Sequence, residues 1–154
     1  MNRRHVNKEP HGHNPEASVR KRLNGAWKLL TFEIWVDGNV LHLYGEHPIG
    51  RLTYDEAGRM SAHVMKPGRK SFITDPVAVS NASCDELRHI ADGYVGYYGT
   101  FTLDEESKTV IHHVECCTLP AWIGTDQTRH YEFVDAHLAL RTSAGKAVWE
   151  RLPQ

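Results

Sequence analysis

The strongest constraint on this chain is the close spacing of turn signals between short segments that alternate apolar and polar side chains. Nine such segments follow one another, at 27–36, 40–44, 50–54, 59–65, 94–103, 109–117, 128–134, 138–142 and 146–152. Asp37-Gly38 is a two-residue hairpin signal, and Glu56-Ala57-Gly58 turns the chain between the third and fourth segments. One short helix is expected. Ser83 and Glu86 form a capping-box pattern, Leu87 and Ile90 share a face, and Gly93 ends it. Many short strands joined by turns predict an all-β chain, an antiparallel barrel of about eight to ten strands. The longest stretch without strand pattern, residues 66–93, is expected to lie across one barrel mouth, since its helix has an apolar face to cover.

A chain of 154 residues fits one domain with one core. Residues 1–22, polar and broken by Pro10, Gly12 and Pro15, read as a flexible leader in which His11 and His13 have no structural task; residues 23–154 read as the barrel. The leader has basic residues but no apolar stretch of the kind a secretory signal needs. With 18 basic and 19 acidic residues the net charge is −1. That balance argues against nucleic acid or an anionic membrane as partner. An odd set of cysteines, Cys84, Cys116 and Cys117, with two adjacent, is a poor disulfide framework and reads as reduced thiols in a cytoplasmic protein. No phosphate loop, dinucleotide fingerprint or Ser-His-Asp elbow occurs, so no cofactor is expected. His113, Glu115 and Cys117 alternate on one strand face, with His112 and Cys116 on the other, but neither face supplies a fourth ligand, so no metal is expected. Cys84 and His89 do not share a helix face, which leaves no cysteine nucleophile paired with a base.

Alternation divides each strand into two faces. The less polar faces carry Val110, His112, Val114 and Cys116; Tyr97, Gly99, Phe101 and Leu103; Arg129, Tyr131 and Phe133; and Trp149 with Arg151. These are placed inward. In the first strand Trp27, Glu33 and Trp35 oppose Leu30, Phe32, Ile34 and Val36, a conflict that a bulge would resolve. The inward set is mixed. A barrel kept only for stability would fill with aliphatic residues, whereas an inward His and Arg need partners or a ligand.

Several motifs resemble the bacterial and fungal lipocalin-like domain family, a calycin-type relative of the true lipocalins. Gly25-Ala26-Trp27 opens the first strand as G-x-W does in lipocalins. Gly50-Arg51-Leu52-Thr53-Tyr54 runs into Gly58-Arg59-Met60-Ser61-Ala62, and Tyr97-Tyr98-Gly99-Thr100-Phe101, Val110-Ile111-His112-His113-Val114 and Pro120-Ala121-Trp122-Ile123-Gly124 follow in order. The resemblance covers residues 23–151 and implies a lipocalin-like β-barrel with a short helix near one mouth. It implies no particular reaction.

The leading functional expectation is a cofactor-independent enzyme of isomerase, cyclase or lyase type, acting on a largely apolar metabolite inside the barrel. His112 would move a proton, and Arg129, Tyr131 and Tyr97 would complete the catalytic set. Phe101, Trp122, Trp149, Tyr54 and His63 would bind the substrate. Each has a structural alternative: His112 as a core histidine bonded to Tyr or Arg, the tyrosines as aromatic wall, and Arg129 as the arginine packing on Trp27, a place Arg151 also suits. The alternative function is a non-catalytic carrier of a small hydrophobic ligand. A third reading is a filled barrel with an accessory role. The sequence leaves a homodimer open.

Overall fold

The computed structural model describes residues 15–70, 73 and 75–153. The leader reading of residues 1–14 lies outside the described residues. A helix, α1 (Pro15–Leu23), precedes strands β1 (Gly25–Val36), β2 (Asn39–Leu41), β3 (Ile49–Tyr54) and β4 (Arg59–Met65). Helix α2 (Cys84–Ala91) is followed by β5 (Tyr94–Asp104), β6 (Thr109–Cys117), β7 (Asp126–Val134), β8 (His137–Thr142) and β9 (Gly145–Arg151). Each strand pairs antiparallel with its neighbour in the order β2-β1-β3-β4-β5-β6-β7-β8-β9, and β1 also pairs with β9. That last pairing closes eight strands into a barrel and leaves β2 as an extra edge strand beside β1. Closure leaves the eight barrel strands without a free edge.

Two bulges decide which side chains face inward. In β1 the register against β9 shifts between Leu29 and Thr31. Trp27 and Leu29 are buried on one side of the shift, Phe32 and Ile34 face the interior on the other, and Trp35 is exposed. This is the bulge the two conflicting faces of β1 required. In β6, Tyr98 pairs with Cys116 but Gly99 pairs with Val114, so Glu115 is the extra residue. The placement of Cys116 inward is corrected here: Cys116 is exposed and Cys117 buried, because the extra residue inverts the alternation beyond it. Val110, His112 and Val114, which precede the bulge, are buried as alternation expects. The second strand is shorter than the 40–44 pattern: it ends at Leu41, although Tyr44 still buries edge-on against Phe32 at 4.9 Å.

One barrel end is sealed. The sequence pattern showed no helix here, yet Val19 and Leu23, four residues apart on α1, pack on the core, and Leu23 is fully buried. Trp27 Nε1 donates to the Leu23 carbonyl at 2.8 Å. The Arg151 guanidinium lies 4.3 Å from the centre of the Trp27 ring and donates to the carbonyls of Asn24 and Arg22. Arg151, not Arg129, is therefore the arginine that packs on Trp27. An Arg151→Met variant is expected to lose about 2 kcal/mol, the scale of charge-assisted hydrogen bonds plus a cation–π contact, whereas Arg129→Met should stay within about 0.5 kcal/mol of the parent. Urea midpoints measure both, and equal losses would show that the two arginines do not divide these roles.

At the other end the barrel opens. The segment between β4 and β5 starts and returns at this end, since Met65 pairs with Tyr94. Its helix α2 carries the expected capping box at Ser83 and Glu86. Helix α2 ends shortly before Tyr94 and so stands near this mouth, as the sequence reading expects. None of the described residues of the 66–93 segment lines the interior cavity, and α2 buries no side chain. The residues over the opening come instead from the loops holding Leu43, Leu119 and Trp122.

Candidate functional site

The barrel encloses a cavity of about 640 Å³, within the range of small-molecule sites. Its depth is apolar because β3, β4, β8 and β9 each turn an aliphatic or aromatic face inward, with Leu52, Ala62, Val64, Leu140, Ala147 and Trp149 in the wall. Its rim is polar, with Glu33, Asp126, Thr142 and Lys146. Among the described residues polarity reaches the interior where β5, β6 and β7 lie side by side, and again at the Trp149 indole N–H, which is buried without a hydrogen-bond partner.

His112 on β6 is the centre of the first of these places, and 1% of it is accessible. Its Nε2 lies 2.6 Å from the Tyr54 hydroxyl and its Nδ1 2.9 Å from the Tyr97 hydroxyl. Burial lowers its pKa to about 3, with the charges of Arg129 and His113 acting in the same direction. His112 is therefore neutral at physiological pH, with one ring nitrogen a donor and the other an acceptor. Burial likewise raises the Tyr54 pKa well above 10 and that of Tyr97 above 10; the nearby Arg129 charge opposes both rises. Both phenols keep their protons.

Arg129 on β7 is half-buried and lines the cavity. Its guanidinium lies 5.9 Å from the centre of the Trp122 ring and donates to the Thr128 carbonyl at 3.1 Å. No carboxylate among the described residues forms an ion pair with it; Asp126 and Glu132, each three residues away, are engaged by His113 Nδ1 at 2.6 Å and by Arg141 at 3.7 Å. Trp122 stands edge-on to Tyr97 at 5.7 Å between ring centres, so the loop tryptophan, the arginine and the phenol meet under the opening.

Of the residues singled out in the sequence, His112, Arg129, Tyr97, Trp122 and Trp149 all line this one cavity. Tyr54 does not line it and reaches it only through His112. Phe101 lies beneath Tyr54, edge-on at 4.7 Å, with Arg20 on its other side. Tyr131 is buried beside Phe133, outside the cavity lining, so its placement in the cavity is corrected. His63 is also corrected. It falls between the inward Ala62 and Val64, so alternation turns it to the exterior, where Nδ1 meets the Tyr94 hydroxyl at 2.8 Å. His113 bonds to Asp126 and Thr102 on the outer face, and among the described residues no three metal-ligating side chains cluster. The sequence reading missed Leu52 and Val64, which the alternation of β3 and β4 shows, Leu43 and Tyr44, which lie in a loop although the 40–44 pattern reads as strand, and Leu119, in a loop with no periodic signal.

The 4'-hydroxy-3'-methoxypropiophenone carrier protein ppsC of Aspergillus oryzae is 36% identical over 76 residues, 46% of this chain and 67% of that protein. A crystal structure of an uncharacterized protein from Bacteroides eggerthii aligns with TM-score 0.46 at 14% identity, over 84% of this chain and 99% of that one. Among the described residues no helix is long and apolar enough to cross a membrane. The model of the lipocalin-like domain family matches residues 24–151, the whole barrel, and the chain belongs to that family.

Proposed function

We propose that this protein is a carrier that binds one small, largely apolar aromatic molecule inside the barrel and releases it unchanged. The observation that carries this reading is the state of His112, the titratable group buried in the cavity wall where β5, β6 and β7 lie side by side. Both its ring nitrogens are engaged by tyrosine hydroxyls, and its pKa of about 3 leaves it a poor proton donor or acceptor at neutral pH. A general acid or base needs a nitrogen within reach of the substrate and a pKa near the working pH. The apolar wall, the aromatic residues Phe32, Trp122 and Trp149, and the Arg129–Tyr97 pair suit an arene with one polar end. The Aspergillus oryzae relative is named as the carrier of an aryl ketone, a molecule of that description.

The isomerase, cyclase or lyase reading keeps one supporting observation. Arg129, Tyr97 and His112 converge on one spot, as acid–base chemistry on a carbonyl compound would require. One experiment separates the two. The protein is titrated with 4'-hydroxy-3'-methoxypropiophenone while tryptophan fluorescence is followed, and the bound compound is then recovered and analysed by mass spectrometry and NMR. Saturable binding at micromolar concentration with the compound returned intact supports the carrier. Time-dependent appearance of an altered compound establishes the enzyme, and no saturable binding of this or any related aryl ketone overturns both.

A further inference from the structure

The geometry points to a cavity whose hydrogen-bond polarity is set by the chain Tyr54–His112–Tyr97, so that Tyr97 offers its O–H outward and, with Arg129, forms a donor-only station for a ligand oxygen that accepts. The inference rests on the carrier reading for the ligand, but the orientation of the chain stands on the protein alone.

The argument begins at the buried end. The Tyr54 hydroxyl is sealed among Phe101 and His112, and among the described residues His112 Nε2 is its sole hydrogen-bond partner. A neutral imidazole has one N–H and one lone pair. If Nε2 carried the hydrogen it would donate to the Tyr54 oxygen, and the Tyr54 O–H would be left buried with no acceptor. That costs a factor of about ten or more in population. If Nε2 carries the lone pair, the Tyr54 O–H donates to it, and the donor left over is the Tyr97 O–H, which lines the cavity and can meet water or a ligand there. The hydrogen must then sit on Nδ1, which donates to the Tyr97 oxygen at 2.9 Å. Tyr97 has now spent an oxygen lone pair, not its proton. Its O–H has no other acceptor among the described residues, and Tyr97 lines the cavity.

Beside it lies Arg129, which can only donate, and with which no carboxylate among the described residues forms an ion pair. The carboxylate acceptors in the lining are Glu33 and Asp126, the latter engaged by His113; Gln127 donates through Nε2 to Thr125 Oγ1, and Thr128, Thr142 and Ser143 add hydroxyls that can donate or accept. Two convergent donors, one cationic, fit a carbonyl, enolate or phenolate oxygen. They reject an ammonium or any group that offers only N–H, because its proton would meet two more. Tyr54 and His112 are in this account positioning residues. They touch no ligand and act by fixing which way the Tyr97 hydroxyl faces.

The test has two arms. In the ligand-free wild-type protein, ¹⁵N NMR of labelled histidines reads the tautomer, with His112 identified by the signal missing from His112→Gln. Protonation of Nδ1 and a bare Nε2 is expected; protonation of Nε2 overturns the proposal whatever the protein binds. The second arm compares propiophenone with propylbenzene, which matches it in shape but lacks the carbonyl. Wild type is expected to favour the ketone at least about tenfold, with the carbonyl stretch shifted to lower frequency on binding. Tyr97→Phe should erase most of both effects while propylbenzene affinity is kept. An unchanged preference in Tyr97→Phe overturns the donor assignment. If neither arene binds the wild type, the carrier reading fails for such ligands, and the NMR arm still decides the orientation.

Discussion

Between pH 7 and pH 4 the wild-type protein is expected to lose stability much more steeply than a His112→Gln variant. In the folded state His112 has a pKa of about 3, because it is buried and faces the positive charges of Arg129 and His113. In the unfolded chain its value returns to about 6.5. The folded pKa is the lower one, so below 6.5 the unfolded state binds a proton that the folded state refuses, and unfolding is favoured as pH falls. The contribution is complete above about pH 6.5, declines through the window down to about pH 3, and is level below it. The slope is on the order of 1 kcal/mol per pH unit, which over the window approaches the whole stability of an ordinary domain. Lowered carboxyl pKa values at Asp55, Glu86 and Asp104 also weaken the fold in acid, but those groups are exposed and common to both proteins. Gln offers a donor and an acceptor without the titration, so the difference in slope isolates His112. Urea midpoints at half-unit pH steps measure it. Parallel curves for the two proteins would mean that His112 is not held neutral by burial.

The barrel itself was legible because its information is local. Alternation along β4, β5 and β7, the Asp37-Gly38 turn and the Ser83–Glu86 capping box each act within a few residues. The inward placement of His112, Tyr97 and Arg129 followed from parity together with the less polar face of each strand. What stayed hidden depends on contacts distant in sequence. The pairing of the two histidine nitrogens with Tyr54 and Tyr97 joins residues 58 and 15 positions apart. No strand pattern states that Tyr54 stops below the cavity, or that Tyr131 turns toward Phe133 rather than the ligand space. Parity also fails beyond a bulge, and the extra residue at Glu115 reversed Cys116 and Cys117 without any mark in composition. Helix α1 was missed for a different reason. Among its described side chains the apolar contacts with the core, Val19 and Leu23, are too few to make a period, and they become intelligible only beside Trp27 and the barrel end they cover.

That bulge gives the second large effect, at Gly99. This residue faces Val114 on the inner side of β5, next to the register shift. A Cβ built there would stand 1.9 Å from the His113 carbonyl oxygen and 3.1 Å from the Glu115 nitrogen. Both are backbone atoms, so no rotamer change relieves the contact, and β6 must move away or give up its pairing. Overpacking in a core costs about 1–3 kcal/mol when side chains can adjust. Here they cannot, and Gly99→Ala is expected to lose at least about 3 kcal/mol. Thr100→Ala, one residue along and pointing to solvent, should change stability by less than about 0.5 kcal/mol. The site should register the same strain. Tyr97 lies two residues before Gly99 on β5, and His112 lies two residues before Val114 on β6, so any parting of the strands stretches the 2.9 Å contact between them. Whatever folded Gly99→Ala can be recovered should therefore show an altered His112 ring signal and weaker binding of an aryl ketone, while Thr100→Ala shows neither. If the two alanine variants unfold at the same urea concentration and give the same His112 signal, the bulge is not where the register puts it, and the inversion of Cys116 and Cys117 would need another cause.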